Sequence, residues 1–176
     1  RAIRFNESTV RPMGRSASGV RGVTLADEIT DEVVGLICVD PNGSSDILVV
    51  SEKGYGKRSE LDEYRVTNRG GKGVKTLNIT EKTGDLIAIK DVKDGDDLMI
   101  INKSGVTIRL ALKDIKIQGR NTQGVSLINL KKRNDVISSV CKVAHYEEEL
   151  SEFDEDAVNL EENTDNTNEN INEQIN

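Results

Sequence analysis

GRSASGVRGVTL (Gly14–Leu25) comes back twice, as NRGGKGVKTLNI (Asn68–Ile79) and as GRNTQGVSLINL (Gly119–Leu130), at offsets of 54 and then 51 residues. Within the three copies Arg15, Arg69 and Arg120 match, as do Gly19, Gly73 and Gly124, and Val20, Val74 and Val125. Two further positions stay apolar: Val23, Leu77 and Ile128, then Leu25, Ile79 and Leu130. An internal repeat of this length decides the architecture before any single element is read, because each unit is one supersecondary block that buries its apolar face against the next.

Working backwards, an arginine stands ten residues before each motif: Arg4, Arg58 and Arg109. Before two of these lies a strand-turn-strand signal, DILVVSEKGYGKR (Asp46–Arg58) and DLMIINKSGVTIR (Asp97–Arg109), with Gly54 and Gly105 at the same place in each. The first copy lacks this half, since the chain starts at Arg1, so the sequence is expected to be part of a longer protein. ILVVS, LMIIN, VVGLICV (Val33–Val39) and LIAIKDV (Leu86–Val92) have the length and β-branched content of strands. Asp40-Pro41-Asn42-Gly43, Lys53-Gly54, Thr83-Gly84-Asp85 and Lys103-Ser104-Gly105 read as the turns between them. No segment carries a long 3.6-residue apolar period, and Ala26–Thr30 and Leu61–Tyr64 can hold a helical turn at most. Several short strands per unit make each repeat a propeller-like blade. The expected layout is all-β, with units at about 1–45, 46–96 and 97–146, followed by a disordered acidic tail over 147–176.

The charge is as uneven as the pattern is regular. The chain of 176 residues has a net charge of −7, yet 12 of its 31 acids lie between Glu147 and Asn176, where there is no Lys or Arg. The body keeps 19 acids against all 24 bases. A basic body points to a polyanionic partner, and an acid run to a solvated extension. Aromatics are few, so the core is expected to be Val, Ile and Leu, with Tyr64 in it beside its counterparts Val10 and Ile115. Cys38 and Cys141 have no metal-ligand spacing. Reduced, buried thiols are expected, a disulfide between them being the alternative. No stretch is apolar and long enough to span a membrane.

Matching glycines and valines serve the fold. The arginines invite a second reading, because a blade does not need Arg at two fixed positions. Arg4, Arg58 and Arg109 are expected to form one row on the rim, and Arg15, Arg69 and Arg120 another. Such rows can track a phosphate backbone, and Arg binds phosphate oxygens bidentately. Arg21, Lys57, Lys72 and Lys75 are the further cations assigned here to DNA contact.

GYGKR (Gly54–Arg58), RGGKG (Arg69–Gly73), GRNTQGV (Gly119–Val125) and VRPMGRSASGVRGVTL (Val10–Leu25) together resemble the C-terminal domain of DNA gyrase A, over about Arg1 to Val143. The resemblance implies a β-pinwheel of which this chain holds about three last blades and the acidic tail. It implies a basic perimeter that wraps double-stranded DNA to support ATP-dependent negative supercoiling. The implied partners are the rest of gyrase A, together with gyrase B, in an A2B2 holoenzyme, in the bacterial cytoplasm at the nucleoid. ATP and Mg are then bound elsewhere, no cofactor is expected in this chain, and no catalysis, because the tyrosine-bearing cleavage core is not in it. The family's signature box reads glutamine-basic-arginine-glycine-glycine-lysine-glycine and belongs to the first blade. Thr67-Asn68-Arg69-Gly70-Gly71-Lys72-Gly73 lacks its first two residues, so the role of the box is not carried over to this loop. The corresponding domain of topoisomerase IV and a kelch-type protein-binding propeller are the alternatives.

Other motifs lead nowhere catalytic. RGGKGVKT misses the phosphate-loop spacing, although Gly70, Gly71 and Gly73 can offer amides to a phosphate. Asp91, Asp94, Asp96 and Asp97 lack the closing Glu of a calcium loop and read as a turn. His145 has no partner pattern and is expected at the surface. The tail, tethered beside a basic body, reaches millimolar effective concentration and can compete with DNA for it. Deleting Glu147–Asn176 should then tighten binding to duplex in an electrophoretic shift assay; unchanged affinity would make the tail a solubilising extension.

Overall fold

Among residues 1–130 and 134–144, which the computed structural model describes, the strands are β1 (Asp46–Ser51), β2 (Tyr55–Glu60), β3 (Leu86–Val92), β4 (Asp97–Asn102), β5 (Thr107–Ala111), β6 (Val125–Ser126) and β7 (Ile137–Val143). β1 and β2 form an antiparallel hairpin in register from Asp46↔Glu60 to Val50↔Gly56, and β4 and β5 form its counterpart, from Asp97↔Ala111 to Ile101↔Thr107. Gly54 and Gly105 turn these hairpins at φ +84° and +86°, a region glycine enters without steric cost. Each hairpin takes the later strand of its own repeat on its outer side, β3 on β1 and β7 on β4. The sheets are ordered β3-β1-β2-β6 and β5-β4-β7. The expected all-β blades are thus present, with 3₁₀ turns at matching places, Glu7–Thr9, Leu61–Glu63 and Leu112–Asp114.

The fourth strand of the first sheet comes from the next repeat. β6 lies in the third motif copy and pairs with β2 through Tyr55↔Ser126 and Gly56↔Val125. One unit earlier the same contact is the Ala2↔Val74 bridge, with hydrogen bonds of 2.9 and 2.7 Å. A blade is therefore completed only by its successor.

β1 is buried along almost its whole length, and alternation divides its side chains between two cores. Leu48 and Val50 pack with Val92, Leu98, Ile100, Leu112, Ile115, Leu130, Ile137 and Val140. Ile47 and Val49 pack with Leu61, Tyr64 and Leu77, against which Ala2, Ile37, Val39 and Val74 also lean. The core is aliphatic as expected, and Tyr64 is in it, its hydroxyl 2.6 Å from the Thr76 hydroxyl.

Three expectations need correction. Val33–Val39 is not a strand. It is the counterpart of β3 and β7, which pair with the opening strand of their own hairpins; no described strand pairs with it, and Val33 and Leu36 are exposed. Cys38 and Cys141 are free but exposed, not buried. Val10, unlike Tyr64 and Ile115, is 38% exposed. His145 and the acidic tail lie outside the described residues.

Gly124 shows why the motif glycine is repeated. It has φ +79°, and a Cβ there would stand 2.5 Å from the carbonyl oxygen of Gly56, on the strand it crosses. Gly73, at φ +66°, meets the Ala2 carbonyl in the same way, whereas Gly19, at φ +82°, has no atom within 4 Å of its Cβ position. Gly19→Ala should cost only the roughly 1–2 kcal/mol of a left-handed residue. Gly124→Ala should cost clearly more in urea unfolding, because the β2–β6 pairing must also shift. Equal losses at the two positions would mean that the glycine is kept for its turn alone.

Candidate nucleic-acid interface

The hairpin arginines point into the fold. Arg58 is 3% exposed; its Nε and Nη2 donate to Asp46 Oδ2 at 3.1 and 2.5 Å, Nη2 also meets Asp94 at 2.6 Å, and Nη1 donates to the Leu112 carbonyl at 2.9 Å. Leu112 opens the 3₁₀ turn of the next repeat, so Arg58 ties its own hairpin to the following unit. Burial alone would depress its charge, but the two carboxylates outweigh that and raise its pKa. Arg4 makes the same reach one unit earlier, donating to the carbonyls of Leu61 and Tyr64 at 3.0 and 3.1 Å. Arg109 repeats the hairpin half of the arrangement, with Asp97 at 2.6 Å, and keeps a side chain 54% exposed. In the expected rim row, Arg4 and Arg58 are thus inter-repeat fastenings, while Arg109 pairs within its own hairpin and stays half exposed. Lys57 is fully buried under the turn at residues 119–122 and is likewise not on the surface.

The second row does face outward, in part. The guanidinium of Arg69 donates to the carbonyls of Thr9 and Arg21 at 3.1 and 3.0 Å, and that of Arg120 to the carbonyl of Lys75 at 2.9 Å. Arg21 and Lys75 are matching positions, so each arginine reaches back to the same point of the preceding copy. Gly70 N–H to Gly22 O at 2.6 Å, Thr24 N–H to Gly71 O at 3.0 Å and Asn78 N–H to Thr122 O at 3.1 Å lay the three motif loops side by side. Arg15 is exposed and, among the described residues, its guanidinium is without a partner. The same holds for the side chains of Arg21 and Lys72, while Lys75, also exposed, meets only Asn78 Oδ1 at 2.9 Å. In the RGGKG loop Arg1 donates to the carbonyls of Lys72 and Gly73 at 2.9 and 2.7 Å.

A third row went unread in the sequence. Arg11, Arg65 and Lys116 match at the same two offsets, and each stands four residues before the motif arginine, as RPMGR, RVTNR and KIQGR. All three are exposed and have no side-chain partner among the described residues. The signal was in the alignment, extended by four residues, but the mixture of Arg and Lys hid it. The second and third motif loops are therefore each bracketed by a free cation and a tethered arginine, and the first by two free ones, Arg11 and Arg15. With Arg21, Lys72 and Lys75 between them, the loops form a basic strip crossing all three repeats. No group of three or more His, Cys, Asp or Glu among the described residues is placed to hold a metal ion, and no helix among them is long and apolar enough to cross a membrane.

A family model described as the DNA gyrase C-terminal domain, beta-propeller, matches residues 1–40, 45–93 and 96–140, one match per repeat. The chain belongs to this family. The DNA gyrase A proteins of Staphylococcus aureus strains MRSA252 and NCTC 8325 are 47% identical to it over 156 residues, which is 89% of this chain and 17% of each relative. The chain thus spans about a sixth of the length of those relatives. Two solved domains share the fold. A DNA topoisomerase IV C-terminal domain has a TM-score of 0.69 at 26% identity, over 80% of this chain and 42% of the other. A DNA gyrase A C-terminal domain has a TM-score of 0.64 at 25% identity, over 79% and 46%. Membership in the gyrase family replaces the kelch-type alternative, and the 47% identity favours gyrase over topoisomerase IV.

The two kinds of cation should separate under mutation. Arg58→Met leaves the Asp46 carboxylate and a buried carbonyl without their donor, and breaking such a pair costs about 3–5 kcal/mol. Arg65→Ala, on the surface, should stay within about 0.5 kcal/mol of the parent chain. Chemical unfolding of both variants measures this; a stable Arg58→Met would return Arg58 to the free cations.

Proposed function

We propose that this chain is the DNA-binding, DNA-wrapping portion of a gyrase-type topoisomerase, and that the strip through Arg11, Arg15, Arg21, Arg65, Arg69, Lys72, Lys75, Lys116 and Arg120 is its DNA track. The observation that carries the proposal is the periodic exposure of unpartnered cations on adjacent loops of successive repeats. Phosphate contacts of this kind position a duplex without reading its bases. Bending 20–30 base pairs by 40–90° costs on the order of 1–6 kcal/mol, which several arginine and lysine contacts offset.

In this reading the chain works within gyrase A and, with gyrase B, in an A2B2 holoenzyme of the bacterial cytoplasm, at the nucleoid. There the wrapped DNA supports ATP-dependent negative supercoiling. ATP and Mg act elsewhere in the assembly, and the chain's own contribution is binding and bending. Its cations release counterions from the duplex, so affinity falls with salt.

Titrating linear duplex at several salt concentrations tests this. Arg65→Ala and Lys116→Ala should each reduce the slope of log K against log salt by about 1. They should weaken all sequences alike. Binding that ignores salt, or slopes unchanged in both variants, would overturn the track.

A further inference from the structure

Among the described residues Lys57 is the largest fully buried side chain, and no carboxylate touches it. Its Nζ donates to the carbonyls of Gly119 and Thr122 at 2.8 and 3.1 Å and to the Thr122 hydroxyl at 3.2 Å. These oxygens belong to the loop that presents Arg120. The repeat makes Lys57 an exception, because its counterparts are Ile3 and Ile108. At the first junction Ile3 lies under Gly71, 3.6 Å from the place a Cβ would take. Gly71 and Thr122 are themselves counterparts. One junction pairs isoleucine with glycine, and the next pairs lysine with threonine, whose two oxygens the ammonium uses. A charge has been placed inside the fold, directly beneath a loop of the basic strip, where the neighbouring junction does without one.

We propose that Lys57 is a buried, titratable part of the DNA-facing surface: it holds the 119–122 turn from below and couples duplex binding to the uptake of a proton. This rests on the DNA reading given above. Lys57 does not touch phosphate; it acts through the turn and through its field.

Desolvation holds the Lys57 pKa down, to about 8 from 10.5. The charged groups acting on it are Glu63 of the Leu61–Glu63 turn, which favours the ammonium, and Arg120 of the loop, which opposes it. On its hairpin side the facing residue is Val49 of β1, which brings no charge. Phosphates arriving at Arg120 offset the opposing charge and favour the ammonium, so the proton is held more tightly in the complex. Affinity therefore falls as pH rises through the window above about 8. Stability moves the other way: folding favours the neutral amine, so the contribution of this group to stability rises from about pH 8 toward 10.5. Loss of affinity in that window is thus not loss of fold.

The test is fluorescence anisotropy of a labelled linear duplex with the full chain, at constant ionic strength, from about pH 7 to about pH 9.5, with chemical unfolding at the same pH values. The parent chain is compared with Lys57→Met and with the double variant Lys57→Ile/Thr122→Gly, which copies the pairing of the first junction and keeps the loop packed. The parent should weaken by about threefold or more, tenfold corresponding to one unit of pKa difference between free and bound chain. Both variants should bind less tightly at neutral pH, lose most of that pH dependence, and approach the parent at the alkaline end. An identical pH dependence in parent and double variant would overturn the role of Lys57 while leaving the DNA track intact. A parent chain that binds no duplex at neutral pH and low salt would remove the DNA reading, and this inference with it.

Discussion

Everything in this fold depends on the close passage of one repeat's backbone over the next, at Gly73 over Ala2 and at Gly124 over Gly56. The passage needs a residue without Cβ in a left-handed conformation. Once it is made, it completes the sheet of one repeat with a strand of its successor and sets the motif loops in a row. The arginines then act on a geometry that already exists. Arg58 reaches forward to Leu112, and Arg120 reaches back to Lys75, so each junction is fastened from both sides.

This explains why cations recur at several positions of a repeat for different reasons. An arginine offers five donors in a planar fork, which lets Arg58 serve two carboxylates and a carbonyl together. Lysine cannot copy that geometry, and these positions hold arginine throughout. The Arg11, Arg65 and Lys116 positions, where a point charge in solvent suffices, tolerate either residue. At Arg4 and Arg58 arginine marks fastening, and the interchange of arginine with lysine at Arg11, Arg65 and Lys116 marks charge.

The architecture was legible in the sequence because periodicity reports it directly. The hairpins at Asp46–Arg58 and Asp97–Arg109 and the strand Leu86–Val92 were readable from apolar runs and turn glycines. What remained hidden depended on partners distant in the chain. β6 is a two-residue strand, too short for any local signal. Val33–Val39 has a strand's composition, but a strand exists only where another backbone pairs with it. The arginine rows were visible as rows, yet nothing local to Arg58 tells that Asp94 and Leu112 wait for it, 36 and 54 residues onward. A buried lysine is the extreme case, since its type is among the least often buried.

The sharing of β1 between two cores has a consequence for how the protein is made. Its even and odd side chains belong to different hydrophobic clusters, and the face of Leu48 and Val50 is covered mostly by residues beyond Asp97. β2, moreover, gains its edge partner only at Val125. On a ribosome adding about 5–20 residues per second, a finished hairpin therefore waits on the order of several seconds for the chain that will cover it. Throughout synthesis the most recent repeat is always the incomplete one, and the nascent chain carries a single moving front of uncovered apolar surface rather than many.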